Sequence, residues 1–172
     1  MWPILDQIFQ LDLIYENSPE AIQQRKTFLQ EQHIGVCDIV ESARRDKVDA
    51  SDLGMQEVEL RDLLTVLIDH PSIDTLIFTG GNSKNGPEYF FRRLIKETSI
   101  TLETVSLEVP RIYRFDWAGR SIRTVSLTAP SGAANRAVGS MQAYKELKAK
   151  NPEVNTVDFR VLQYKPFFTD QG

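Results

Sequence analysis

Small residues crowd the segment LTAPSGAANRAVG, residues 127–139, which lies between an apolar stretch and a helical pattern. A Pro-Ser-Gly turn lets the backbone come close to a large planar or polyanionic partner. The Ser131 hydroxyl and the Arg136 guanidinium are groups that bond phosphate oxygens. The alternative is a plain connection from strand to helix that Ser131 caps. The residues of this segment leave both interpretations open.

A second glycine-containing segment, TGGNSKNG at residues 79–86, follows another apolar run. Gly81 and Gly86 have the spacing of a phosphate-cradling loop, but Pro87 and Glu88 stand where that loop needs Lys and Ser or Thr. The segment is therefore not a nucleoside-triphosphate site. A glycine turn that enters a helix can still hold one phosphate through backbone N–H groups, and the alternative is a tight turn without a ligand.

Hydrolytic and metal chemistry find little support in the residue types. Ser131 lacks the Gly-x-Ser-x-Gly nucleophile pattern, and neither His33 nor His70 has a second histidine or a cysteine at ligand spacing. The single cysteine, Cys37, excludes an internal disulfide, and its apolar neighbours predict a buried side chain. We expect no metal site.

The net charge of −4 argues against a nucleic-acid-binding protein that works through an overall positive potential. A local basic footprint is still present, because four arginines lie close together just before the small-residue segment. They are Arg111, Arg114, Arg120 and Arg123. A phosphate-facing patch and a solvated hairpin explain this cluster equally well.

The hydrophobic patterns predict alternating helices and strands. With 41% hydrophobic and 26% charged residues, the 172-residue chain has the composition of one globular domain. Strands that alternate with helices favour an α/β fold on a mainly parallel sheet, where the segments at 79–86 and 127–139 would leave the same edge. Helices are predicted at 2–9, 19–32, 57–69, 87–97, 136–150 and 155–168. Ser51 or Asp52 is placed to cap the third of these helices, and a strand is the alternative for the last one. Strands are predicted at 73–81, at 102–109 and on both sides of a turn at 118–119.

Three segments together resemble one family: IGVCDIVESARR leading into ASDLGMQEVEL, then IDTLIFTGG, then APSGAANRAVGSMQAYKELK. In order and spacing they are similar to the mismatch-specific uracil and thymine DNA glycosylases and the hypoxanthine-DNA glycosylases, which belong to the uracil-DNA glycosylase superfamily. Trp2-Pro3-Ile4-Leu5 resembles the start of a helix in that family, so the resemblance covers about residues 1–150.

The resemblance implies a single domain over residues 1–172, folded as a three-layer α/β/α sandwich on a mainly parallel central sheet. Such an enzyme flips uracil, thymine opposite guanine, or hypoxanthine out of duplex DNA and hydrolyses the N-glycosidic bond, without a metal or cofactor. Asp38 would be the acid that orients water, with the capping of its own turn as the alternative. The resemblance assigns Pro130, Ser131, Gly132 and Arg136 to DNA contact. The predicted DNA-binding set also includes Ala133 and Asn135 of the same segment and Arg114 of the arginine cluster, and the predicted base pocket consists of Gly35, Gly80, Gly81 and Asn82.

The sequence departs from the family pattern at its start and in one loop. The family's water-positioning Asn motif and its His-Pro-x-Asn segment have no counterpart, and the N-terminal strand that carries the motif is expected to be missing. Ala133 stands where a larger wedge residue is usual, and Ala129 where a hydrogen-bonding Asn or His is usual. Three explanations remain: the larger part of an active enzyme, a member that binds without cutting, or a likeness in the order of strand, loop and helix alone. Two other function classes also stay open: a non-catalytic nucleic-acid or protein interaction module, and an unrelated small-molecule α/β enzyme.

Partners and location follow from the same observations. We expect duplex DNA with a damaged or mispaired base as the partner, and a monomeric protein. No stretch reaches the roughly 18 to 20 apolar residues that cross a bilayer, and no secretory signal pattern opens the chain. A cytoplasmic location is the expectation.

Overall fold

A computed structural model describes residues 1–46 and 54–169. Within these ranges, no helix has the length and apolar character needed to cross a membrane. The helices of the described residues are α1 (Trp2–Phe9), α2 (Pro19–Glu31), α3 (Leu63–Asp69), α4 (Pro87–Ile95), α5 (Asn135–Ser140), α6 (Gln142–Lys150) and α7 (Thr156–Thr169). The strands are β1 (Val40–Arg45), β2 (Met55–Leu60), β3 (Thr75–Phe78), β4 (Glu103–Ser106), β5 (Arg111–Trp117) and β6 (Arg120–Ser126).

The chain forms two compact units. Residues Met1–Cys37 and Gly139–Gly172 make the helical unit, and residues Asp38–Val138 make the sheet unit. The single domain expected over residues 1–172 stays a prediction.

In the helical unit, local signals set the helix boundaries. The Ser18 hydroxyl accepts a hydrogen bond from the Ala21 N–H at 3.2 Å and so caps α2, as its sequence predicts. Phe28 of α2 is buried and meets the rings of Trp2 and Phe9 edge-on. The segment 155–168 is helical, as the first of its two alternatives predicted. The helix expected over 136–150 is instead two helices, because the backbone at position 141 is extended.

The predicted mainly parallel sheet is wrong, and with it the expected three-layer α/β/α sandwich. The main sheet has the strand order β3-β6-β5-β4, in which only β3 and β6 are parallel. The antiparallel pairs follow from short connections along the chain, because neighbouring parallel strands need a crossover of a dozen or more residues. A two-residue turn with positive φ at Ala118 and Gly119 joins β5 to β6, and residues 107–110 alone join β4 to β5.

A second, two-stranded sheet replaces part of a predicted helix. Residues Met55–Leu60 form β2, which pairs antiparallel with β1, and α3 begins only at Leu63. Asp62 caps α3 by accepting the Thr65 N–H at 3.1 Å. The caps expected at Ser51 or Asp52 lie outside the described residues. Cys37, expected to be buried, is exposed.

The core of the sheet unit lies between α3, α4 and one face of the main sheet. Phe91 of α4 is 1% exposed, and its ring centroid lies 5.2 Å from that of Phe78 and 5.5 Å from that of Phe115. Trp117 donates its indole N–H to the Leu64 carbonyl at 3.0 Å. The ring contacts of Phe91 fix α4 on the sheet and thereby set where its first turn lies, and the Trp117 bond fixes α3.

Candidate nucleic-acid interface

The two glycine-containing segments leave the same edge of the main sheet. Phe78, the last residue of β3, lies opposite Ser126, the last residue of β6, on a parallel neighbour. The Leu127 N–H donates to the Phe78 carbonyl at 2.9 Å, which continues the pairing one step beyond β6. The prediction that the segments at 79–86 and 127–139 leave the same edge is therefore confirmed where each leaves its strand, although the sheet is mixed and not mainly parallel. We call residues 79–86 the glycine loop, and residues 127–134, the part of the second segment before α5, the small-residue loop.

The small-residue loop presents short side chains to solvent. Pro130 is half-buried, whereas Ser131, Gly132 and Ala133 are exposed. Residues Gly132–Ala134 form a single 3-10 turn, closed by a hydrogen bond from the Ala134 N–H to the Ser131 carbonyl at 3.1 Å. A Cβ added at Gly132 would meet nothing within 4 Å. The open space above this turn leaves room for close approach by a partner.

Asn135 and Arg136 follow this turn directly, at the start of α5, and both are exposed. Val138, two residues beyond Arg136, is fully buried and anchors α5. Arg136 is therefore an exposed positive charge next to a loop of small residues, and its contact with phosphate stays a prediction.

The glycine loop is tightly closed and has little free space inside. A Cβ on Gly86 would collide with the carbonyl oxygen of Gly81, and a Cβ on Gly80 would lie 2.8 Å from the Pro87 ring. Asn85 is buried and donates its amide N–H to the Met55 carbonyl at 3.3 Å. Asn82, by contrast, is exposed. Gly80 and Gly81 thus serve a compact turn between β3 and α4, with Asn82 on its outer side.

A buried carboxylate lies directly below the glycine loop. Glu88, in the first turn of α4, is 2% exposed. Its Oε2 accepts hydrogen bonds from Arg111 Nε at 3.1 Å and Arg111 Nη2 at 2.7 Å, and its Oε1 accepts from Arg92 Nε at 3.0 Å. The Arg92 guanidinium also lies 4.6 Å from the centroid of the Tyr113 ring. One carboxylate therefore joins α4 to β5 through two guanidinium groups.

The surroundings of Glu88 set its protonation. Burial alone raises the pKa of this carboxyl, but the Ser126 hydroxyl and the guanidinium groups of Arg111 and Arg92 outweigh burial and lower the pKa below its ordinary value. The buried Ser126 Oγ meets no described group at normal hydrogen-bond geometry. The hydrogen bonds from Arg92 and Arg111 are therefore the contacts that keep the Glu88 carboxyl ionised. Glu88 is therefore ionised at neutral pH.

This carboxylate changes the expected chemistry of the glycine loop. A helix N-terminus favours an anion because its first N–H groups have no partner within the helix and the helix dipole places partial positive charge there. In α4 the first turn already carries a negative charge, that of Glu88, whose carboxylate is bonded to Arg92 and Arg111. With the closed inside of the glycine loop, this favours a tight turn over a loop that holds a phosphate within it.

The four-arginine cluster divides by position. Arg111 points to Glu88, and the Arg120 guanidinium donates to the carbonyls of Ile73 and Leu67, so both serve internal contacts. Arg114 is exposed, and it pairs across the hairpin with Arg123, three residues from the end of β6. Arg114 therefore lies along the strand rather than in the loops that leave the edge.

Asp38 lies just before β1, and no contact described for it joins it to this edge. Asp38 is exposed, and its Oδ1 accepts the N–H of Val40 at 3.0 Å, which closes the turn before β1. This contact corresponds to the capping alternative for Asp38. Gly35 is exposed and belongs to the helical unit.

Two features of this edge are absent from the sequence predictions. One is the group of Glu88, Arg92 and Arg111, for which the acidic first turn at Pro87-Glu88 was the available signal. The other is the segment 107–110, which the hairpin turn at 118–119 brings to the same edge. Among the described residues, no group of three or more His, Cys, Asp or Glu side chains could hold a metal ion.

Comparison of the chain with protein-family models, curated proteins and solved structures gave no match. The resemblance to the uracil-DNA glycosylase superfamily therefore stays a prediction from the sequence motifs.

Proposed function

We propose that the edge formed by the glycine loop and the small-residue loop binds DNA that carries a damaged or mispaired base, and that the protein is a base-excision glycosylase-like protein. One observation carries the proposal: the parallel pairing of Phe78 with Ser126, which places both loops side by side. Ligands of sheets with parallel strands bind beyond the carboxyl ends of those strands. The family resemblance names the same two segments.

The chemistry of the small-residue loop suits a nucleic acid. Exposed Ser131, Gly132 and Ala133 let the loop backbone approach a duplex without steric conflict. Asn135 and Arg136 follow at its end and offer an amide and a guanidinium to the phosphates. The overall charge of −4 requires that binding be local and sensitive to salt.

Removal of a base requires a group that holds the attacking water. Water adds to the sugar C1′ as the bond from C1′ to the base nitrogen breaks, and the base leaves with a proton. Glu88 is held by two guanidinium groups and Asp38 closes its own turn, so both carboxylates are already engaged. For this polypeptide on its own, these contacts favour one of the alternatives from the sequence: a family member that binds DNA without cutting it.

Binding and cleavage are tested separately. Fluorescence anisotropy with duplexes that carry uracil, thymine opposite guanine, or hypoxanthine, and with a matched duplex, gives affinities at several salt concentrations. Arg136→Ala should lower the affinity for every duplex and reduce the salt slope by about one. Lys26→Ala, which removes an exposed positive charge from α2, is the matched control and should change neither quantity.

Alkali-labile abasic sites on the same duplexes report base removal. We expect little or none from this chain, and robust cleavage would reject the binding-only candidate while supporting the enzyme. Absence of DNA binding by the unmodified protein, or equal salt slopes for Arg136→Ala and Lys26→Ala, would reject the proposed interface.

A further inference from the structure

The helical unit carries a groove along α2 that takes no part in the proposed DNA contact. This groove, here called the α2 groove, has a volume of about 590 Å³ and lies between one face of α2 and residues 9–13, at the end of α1 and beyond it. Its floor is apolar: Phe28 and Leu13 are buried, and Phe9 and Leu11 are half-buried beside them. Sites for small molecules have volumes of about 300–1,000 Å³, so the α2 groove has the size of a small-molecule site.

The wall opposite α2 is held in place by one side chain. Gln24 donates its amide Nε2 to the carbonyls of Leu11 at 3.4 Å and Asp12 at 3.1 Å, and its Oε1 accepts the Ile14 N–H at 2.9 Å. These bonds hold a segment in which Gln10 and Asp12 have positive φ angles of 53° and 51°. The α2 groove is therefore formed in advance, which lowers the cost of binding.

Two carboxylates lie at opposite ends of the α2 groove. Glu20 and Glu31 both line it, and both are exposed. They are eleven residues apart in the sequence, which is close to three whole helical turns, so they lie on the same face of α2 about 16 Å apart. Within residues 1–46 and 54–169, neither carboxylate takes part in an ion pair or a side-chain hydrogen bond.

The stability of α2 accounts for one of these charges and not for the other. Glu20 is in the first turn, where the helix dipole favours a negative charge. Glu31 is the last residue of α2, where the dipole opposes a negative charge, and the last turn contains no basic residue. A positively charged ligand at this end of the α2 groove would offset that cost.

We propose that the α2 groove binds a small linear molecule with an apolar middle and a positively charged group at each end, of the class of long-chain diamines. Each ammonium group pairs with one of the two carboxylates, and the methylene chain between them covers the apolar floor. The charges set the length and orientation of the ligand, and the methylenes supply burial. The site lies within Met1–Cys37 and is independent of the DNA-binding edge proposed for the sheet unit.

Isothermal titration calorimetry on the full chain compares three ligands of similar length. The extended chain of dodecamethylenediamine spans about 16 Å between its nitrogen atoms at the usual bond lengths. We expect it to bind one molecule per chain, with an affinity that falls as salt is added. Dodecanedioate, with a negative charge at each end, should bind at least about tenfold more weakly. Spermine should also bind more weakly than the diamine, because its inner ammonium groups would lie on the apolar floor.

Variants at the rim of the α2 groove test the role of the charges. Glu20→Gln and Glu31→Gln should each weaken diamine binding about threefold, and the double variant about tenfold. Thr27→Lys places a positive charge between the two carboxylates from an exposed position of α2, and it should weaken diamine binding as well. Glu16→Gln removes an exposed carboxylate of the same unit outside the α2 groove, and it is the matched control that should leave the affinity unchanged.

The location of the ligand is read from the methyl signals of Leu11 and Leu13, which should shift when the diamine is added. Absence of saturable diamine binding up to about 1 mM would overturn the proposal. Equal affinities for the diamine and the dioate, or an unchanged diamine affinity in the double variant, would show apolar binding without charge recognition and would overturn it too. Spermine binding more tightly than the diamine would show that the apolar floor is not part of the contact, which is equally incompatible with the proposed class of ligand.

Discussion

Glu88 and Arg111 tie the first turn of α4 to the first residue of β5. One carboxylate oxygen accepts two hydrogen bonds from the guanidinium, from Nε at 3.1 Å and from Nη2 at 2.7 Å. Arg111 lies opposite Ser126, so the tie is made at the sheet edge from which the glycine and small-residue loops emerge. A Cβ on Gly81 would lie 2.9 Å from Arg111 Nη2, which places the glycine loop against the same guanidinium. The ion pair therefore supports the edge and does not offer Arg111 to phosphate.

Removal of the Glu88 charge should destabilise the sheet unit. Glu88→Gln leaves the guanidinium groups of Arg92 and Arg111 without their anion, and both side chains are mostly buried, 34% and 28% exposed. We expect a loss of about 2 to 4 kcal/mol in the free energy of unfolding, measured by urea denaturation. Glu97→Gln, an exposed carboxylate just beyond α4, is the matched control and should change stability by less than about 0.5 kcal/mol. Equal urea midpoints for Glu88→Gln and Glu97→Gln would show that the bonds of Glu88 to Arg92 and Arg111 make no net contribution to the free energy of unfolding.

The same carboxylate should make stability depend on pH in the acid range. Burial raises the pKa of Glu88, but Ser126, Arg111 and Arg92 together lower it below the ordinary value of 4.5. Because the folded-state pKa is the lower one, the stabilisation is complete above that ordinary value and is lost as the pH falls through the folded-state pKa. The difference in unfolding free energy between the unmodified protein and Glu88→Gln should therefore be constant near neutrality and shrink in acid. A difference that does not change down to the acid transition would contradict this assignment.

Local signals made much of the fold predictable. The turn at Ala118-Gly119 predicted the β5–β6 hairpin, and Ser18-Pro19 predicted the start of α2. The shared edge of the glycine and small-residue loops was also predictable, because it depends only on two apolar runs being parallel neighbours.

The strand β2 was not predictable from its own residues. Leu60, Leu63, Leu64 and Leu67 have the i, i+3, i+4, i+7 spacing of a helix, and pairing of residues 55–60 with β1 decides the outcome for β2. The mixed sheet depended in the same way on which runs are joined by short connections. In the candidate site, the Glu88–Arg111 pair joins residues that are 23 apart in the chain. Such a pair follows from the packing of α4 on β5, which no local pattern encodes.

In the helical unit, Tyr15 should titrate unusually late. Its hydroxyl donates to Asp6 Oδ2 at 2.8 Å. Although the residue is 58% exposed, burial of the hydroxyl and the bond to Asp6 raise the pKa of Tyr15 to about 12, against a smaller opposing effect of Arg25. Asp6→Asn removes the carboxylate, and the pKa should move back toward 10. NMR of ring-labelled tyrosine, with Tyr15→Phe to assign the signal, measures the shift.

The sign of the linked stability follows from that raised value. The contribution of the Asp6–Tyr15 bond is complete below the ordinary pKa of 10.0 and is lost as the pH rises through about 12. An unchanged Tyr15 titration in Asp6→Asn would show that the carboxylate does not act on the hydroxyl.

Two glycines at the proposed edge should differ in how much stability the protein loses when each is replaced by alanine. At Gly86 the added Cβ of Gly86→Ala would meet the Gly81 carbonyl and lie 3.0 Å from the Ser83 carbonyl, both of which are backbone atoms. The glycine loop must then shift, and we expect a loss of about 1 to 3 kcal/mol in unfolding free energy.

At Gly132 the added Cβ meets nothing within 4 Å, so Gly132→Ala should keep stability within about 0.5 kcal/mol. If the small-residue loop binds DNA by close approach, Gly132→Ala should nevertheless weaken DNA binding. Thermal denaturation and anisotropy on the same preparations separate the effects, and a stable Gly132→Ala protein with unaltered affinity would show that position 132 does not approach the duplex.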